Sequence, residues 1–124
     1  MLLSLAFNYN FMLKQKNLDN LNLAWEIICT KLNEEGKDFH TVSNRPIGKE
    51  RWFHASVYHN RIFIERAKDT SKNSKITMRY PIRQQEFNLL ANYYNNYAEN
   101  NSNEIRKTDS HMSSYIITLI SELL

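Results

Sequence analysis

Two glycines, two prolines and one cysteine are all that 124 residues contain of these types. The lone cysteine, Cys29, excludes an internal disulfide and fits a reducing, cytoplasmic setting. No glycine precedes Ser113, Ser114 and Tyr115, so no sharp elbow raises a serine nucleophile there. No apolar run approaches the roughly 20 residues of a membrane span. The opening "MLLSLAF" is apolar but short and lacks a basic flank, so it reads as neither a signal peptide nor an anchor. His40, His54, His59 and His111 show no zinc-ligand spacing, and Cys29 has no second cysteine to share a metal. Nothing in the chain implies a cofactor, and no internal repeat divides it.

What is abundant is asparagine, with 16 copies and a cluster in "NYYNNYAENNSN". An AT-rich genome explains that bias more simply than a function does. The net charge is a mild +3, but it is unevenly placed. Residues 45–83 carry ten basic side chains and three acidic ones, or +7, which leaves −4 for the remainder. Such asymmetry points to an anionic partner for one surface.

The hydrophobic pattern predicts one domain over 1–124, with residues 1–14 as an arm or extra strand. Leu18, Leu21, Trp25, Ile28 and Leu32 step by three and four, which predicts a helix over 18–35. Asn17 is the expected cap and Gly36 the expected left-handed terminator. A short strand is expected over 38–42, then a loop through Pro46 and Gly48. Residues 51–58 and 61–66 alternate, with Phe53, Ala55, Val57, Ile62 and Ile64 on one face. His59-Asn60 is the length of a tight hairpin loop, and that register sets Val57 opposite Ile62 and Ala55 opposite Ile64. "KITMRY" is expected as a third strand with Ile76, Met78 and Tyr80 inward, ended by Pro81. Helices follow over 83–98 and 110–123, the latter capped by Asp109 or Ser110. The class is therefore α+β: a three- to four-stranded antiparallel sheet with an N-terminal helix and two C-terminal helices.

The same hairpin register lines up a second face. Tyr58 falls across from Arg61, Ser56 from Phe63 and His54 from Glu65, with Lys75 and Arg79 extending it. Aromatics offer bases a surface to stack on, and interleaved cations meet phosphates. Candidate nucleic-acid contacts are therefore Arg45, Lys49, Arg51, Trp52, Tyr58, Arg61, Phe63, Lys68, Lys72, Lys75 and Arg79. The contrary expectation is a second helical layer that makes Trp52, Tyr58 and Phe63 core. His54 with Glu65 forms either an acid–base pair or, more simply, a surface hydrogen bond. Cys29 reads as a small buried hydrophobe.

"PIRQQEFNLL" after a hairpin, followed by "HMSSYIITLISELL", resembles small modules attached to restriction enzymes and other mobile-element proteins. The size, the codon bias and the missing motifs also resemble integron cassette proteins. That resemblance implies a mobile-element context and carries no functional residue with it. The best reading is a non-catalytic domain that binds an anionic polymer, nucleic acid first. The alternatives are a protein-interaction or homodimerisation module, and a small-molecule pocket between the sheet and helix 83–98. No membrane contact is expected.

Overall fold

A computed structural model describes residues 14–41, 51–100 and 112–124, the side chains of 96–100 excepted. Residues 1–13 of the expected arm at 1–14, and Arg45, Lys49, Asp109 and Ser110, lie outside the described residues. The element order is α1 (Leu21–Leu32), β1 (Lys37–His40), β2 (Trp52–Tyr58), β3 (Arg61–Glu65), β4 (Tyr80–Ile82), α2 (Gln84–Asn100) and α3 (Ser113–Leu123). The strands form one antiparallel sheet in the order β1-β2-β3-β4. This is the expected α+β arrangement with four strands. No helix of the described residues is long and apolar enough to cross a membrane.

The hairpin follows from its turn. His59 and Asn60 both take positive φ, 50° and 60°, as a two-residue loop of matching twist requires. The register is the expected one: His54 faces Glu65, Ala55 faces Ile64, Ser56 faces Phe63, Val57 faces Ile62 and Tyr58 faces Arg61. Phe39, Phe53, Ala55, Ile62, Ile64 and Ile82 thereby share a face. They form one core with Trp25, Ile28 and Leu32 of α1, Phe87, Leu90 and Tyr94 of α2, and Ile116, Leu119 and Ile120 of α3. All three helices pack on this one face. From α1, the Trp25 indole donates to the Asn60 carbonyl at 3.2 Å, so the helix grips the hairpin tip directly. At the far end of the core, the Tyr94 hydroxyl donates to the Lys14 carbonyl at 3.0 Å, and Lys31 and Lys16 donate to the last carbonyls of the chain.

Three local expectations need correction. The cap of α1 is Asn20, whose side chain accepts from the Leu23 N–H at 3.0 Å; Asn17 instead accepts from Asp19 upstream of the helix. Leu18 accordingly precedes the helix. The residue that closes α1 is Asn33, at φ 53°, with its N–H donating to the Cys29 carbonyl. Its Oδ1 accepts from Glu35 and Gly36, and its carbonyl accepts from Val57, so one residue ends the helix and seats the next turn on β2.

The third expected strand is displaced along the chain. Residues 75–79 are irregular, Met78 is 63% exposed, and pairing with β3 begins only at Tyr80. Alternation alone made 75–80 look like a strand. The register that sets Ile82 against Ile62 and Tyr80 against Ile64 runs out at Glu65, the last residue of β3, and leaves 75–78 no strand partner. Pro81 sits inside β4 rather than ending it. It is tolerated because β4 is an edge strand, where a missing N–H costs no ladder bond.

Gly36 is left-handed, as expected, and its N–H donates to the Leu32 carbonyl at 3.1 Å, but it lies past the Asn33 cap. Its φ is +72°, and a Cβ there would collide with the Ala55 carbonyl oxygen and lie 2.7 Å from both His54 Nε2 and Ser56 Cβ. The turn from α1 to β1 is thus pressed flat onto β2. We predict that Gly36→Ala destabilises the fold by about 2–4 kcal/mol, since backbone strain adds to a clash against backbone. Urea denaturation monitored by circular dichroism checks this; a loss below about 1 kcal/mol would show that the turn can lift away.

Candidate nucleic-acid interface on the outer sheet face

The outer face of the sheet carries Asp38 and His40 from β1, Trp52, His54, Ser56 and Tyr58 from β2, and Arg61, Phe63 and Glu65 from β3. No described helix packs there. Its cover is the chain's own segment 66–79, which leaves β3, crosses β2 and returns. Three contacts fix that crossing. The Asp38 carboxylate accepts from the backbone N–H groups of Lys68 (2.9 Å) and Asp69 (3.0 Å). The Ala67 N–H donates to Ser74 Oγ, closing the segment on itself. The Trp52 N–H donates to the Asn73 carbonyl at 2.7 Å, so residue 73 takes the place beside β2 that β3 has vacated. Ile76 then enters the core.

Beneath this crossing lies His54, 6% exposed. Its Nδ1 is 2.8 Å from Asp38 Oδ1 and its Nε2 is 3.0 Å from the Glu35 carbonyl oxygen. The expected partner Glu65 faces His54 across the backbone register, but the ring bonds Asp38 instead. Both ring nitrogens face acceptors within the fold, so the pair is a structural tie. Burial alone would favour the neutral carboxyl of Asp38. The Lys68 and Asp69 N–H groups and the His54 ring together outweigh it and hold the carboxyl below its ordinary value.

The sequence-predicted residues divide among three environments. Trp52 is half-buried, with Lys72 Nζ 4.3 Å above its ring centroid and the His40 ring 5.2 Å away. Phe63 is half-buried, with the Arg79 guanidinium 4.0 Å above it. Tyr58 is 52% exposed beside the hairpin turn, its ring edge-on to His59. Arg61 and Lys75 are exposed and engage no partner among the described residues. Arg51 is half-buried and its backbone bonds Thr41 in both directions, which joins the ends of β1 and β2. Lys68 is exposed and bonds Glu65 at 2.7 Å.

The outer face is therefore neither roofed by helices nor open throughout. Over its middle, at His54 and Ser56, the Gly36 turn and the 66–73 crossing bury it; around that patch Trp52, Phe63 and Tyr58 keep aromatic rings under or beside cations. Two cation–aromatic pairs of this kind are each worth about 0.5–1 kcal/mol at exposed sites, weak enough to be exchanged for a ligand. Asp38 is the functional neighbour that pattern reading missed. A register for β1 would have placed it opposite His54, but the long connection to β2 does not specify one.

Cys29 behaves as expected: it is buried on α1, and burial, with the nearby Glu26 charge, raises its thiol pKa. Among the described residues, no group of three or more His, Cys, Asp or Glu is placed to hold a metal ion. Helix α2 commits Phe87, Leu90, Ala91 and Tyr94 to the core, each 2% exposed or less, so these side chains are filled in against their neighbours. Compared with models of protein families, with curated proteins and with solved structures, the chain matches none.

Asp38 makes a sign-definite prediction. Its depressed pKa contributes stability that is present in full above the ordinary carboxyl range, near pH 4, and is lost as pH falls through the lower folded value. Asp38→Ala should destabilise by about 2–3 kcal/mol at neutral pH, because it strands two loop N–H groups and one ring nitrogen. The gap in melting temperature between wild type and variant should narrow below about pH 4. A gap that stays constant down to about pH 2 would show that the carboxylate is not what holds the crossing.

Proposed function

We propose that the chain is a non-catalytic nucleic-acid-binding domain that uses the outer face of its sheet. The observation that carries this reading is the pairing of Trp52 with Lys72 and of Phe63 with Arg79 on a face that no described helix covers, with Tyr58 and Arg61 exposed beside them. Stacking surface and positive charge are the two features that single strands need; here the rings come from β2 and β3 and the cations over them from the 66–79 segment. The concentration of positive charge in residues 45–83 favours an anionic partner over a neutral one. Engagement of both His54 nitrogens supports a binding role over catalysis. A cytoplasmic setting rests on the single cysteine, and a mobile-element context rests on the resemblance of the last two helical segments.

If about four cations meet phosphates, log K should fall with log salt at a slope near −2.8 for single strands and about −3.6 for duplex. Replacing Lys72 and Lys75 by Ala should flatten the slope with little effect on the fold. Tyr58→Ala should weaken single-strand binding by about 1–3 kcal/mol at every salt if a base stacks there. Its exposure keeps the stability cost within about 0.5 kcal/mol. Phe63→Ala should weaken binding similarly while also losing its packing under Arg79. Fluorescence anisotropy across a salt series separates these effects. Absence of binding to both single strands and duplex at low salt would overturn the reading.

A further inference from the structure

Glu65 stands in the middle of the cationic face, half-buried, on the same side of β3 as Phe63. Its Oε1 lies 2.7 Å from Lys68 Nζ and its Oε2 lies 3.9 Å from Arg79 Nε. Arg79 is the same side chain that lies flat over Phe63 at 4.0 Å. One carboxylate thus engages two of the candidate phosphate-binding cations and holds one of them over a ring on which a base would stack. Both cations stay more than half exposed, Lys68 at 61% and Arg79 at 51%, so either can turn outward without breaking the core.

We infer that Glu65 is an internal competitor for the phosphates of a bound single strand, a built-in counter-charge that keeps the outer face closed on itself when no strand is present. This rests on the nucleic-acid reading above and adds a residue that tunes it. Binding of a strand exchanges the partners: phosphate oxygens replace the Glu65 carboxylate at Lys68 and Arg79, and the guanidinium swings off Phe63 as a base takes its place. The like charge of Glu65 and phosphate opposes that exchange, so the wild-type affinity is held down. Asp69 is engaged by the Ser71 hydroxyl and N–H and acts on Lys72, and Asp38 takes the Lys68 backbone N–H, so Glu65 is the carboxylate paired with the side chains of Lys68 and Arg79.

The test uses the full chain, the variants Glu65→Gln and Glu65→Ala, and a fluorescein-labelled single-stranded DNA of mixed sequence and about 12 nucleotides. Thermal melting first establishes that each variant folds; Glu65→Ala serves if Glu65→Gln does not. Removing the carboxylate should tighten binding about three- to tenfold at low salt and steepen the salt slope by about 0.7 for each of the two cations released. Adding Arg79→Ala to Glu65→Gln should remove much of that gain. A wild type that binds, beside Glu65 variants that bind more tightly, supports the inference; a silent wild type overturns the reading on which it rests. A wild type that binds, with Glu65 variants equal or weaker, overturns the inference and leaves the nucleic-acid reading standing. Silence of wild type and both variants overturns both. A gain of equal size for polyglutamate overturns the assignment to a nucleic-acid strand.

Discussion

The outer half of this structure depends on one carboxylate. Asp38 is on an edge strand, yet it gathers two backbone N–H groups from a segment that begins two strands away, and a ring nitrogen from the strand between. Through His54 it also reaches the Glu35 carbonyl, in the turn that joins the first helix to the sheet. Hydrogen bonds to an ionised acceptor are among the stronger ones. Without them residues 67–69 would keep the Ala67–Ser74 bond, the Lys68–Glu65 pair and the Asp69–Ser71 turn.

The division of labour between the two faces follows from the pleat. A strand sends alternate side chains to opposite sides, so a sequence that alternates Phe, Ala, Val with Trp, His, Ser, Tyr states two surfaces at once. The helices claim the aliphatic side. The remaining side receives polar and aromatic groups together with a strap of the chain's own backbone. A strap made of backbone and short polar residues covers less than a helix would, which is why Phe63 and Trp52 end half-buried under cations instead of inside a second core.

Legibility in the sequence tracked how many local constraints agreed. The hairpin was readable residue by residue because its turn, its apolar face and its outer face all demand one register, and a slip by one residue would turn every side chain over. The helices were readable as elements, with their ends misjudged by up to three residues; at α1, Asn17 and Asn20 both offer a cap and Asn20 takes it. The third strand misled because alternation says that a segment can be extended, not that it has a partner. Whether 75–80 pairs is decided by where β3 ends, at Glu65, just before the residues that Asp38 binds. Asp38 itself was invisible, since its partners are backbone N–H groups thirty residues downstream and no side-chain pattern announces them.

The two tryptophans fall on opposite sides of the sheet. Trp25 is sealed in the core and tied to the hairpin tip; Trp52 lies on the outer side against Lys72 and His40. The protein thus carries two native fluorophores in unlike surroundings, one apolar and rigid, the other beside a cation and an imidazole that quench or shift emission. Light from Trp25 follows the integrity of the fold, and light from Trp52 follows the fit of the strap over its strand. Opening of the strap and unfolding of the domain are therefore optically separable events in the unmodified chain.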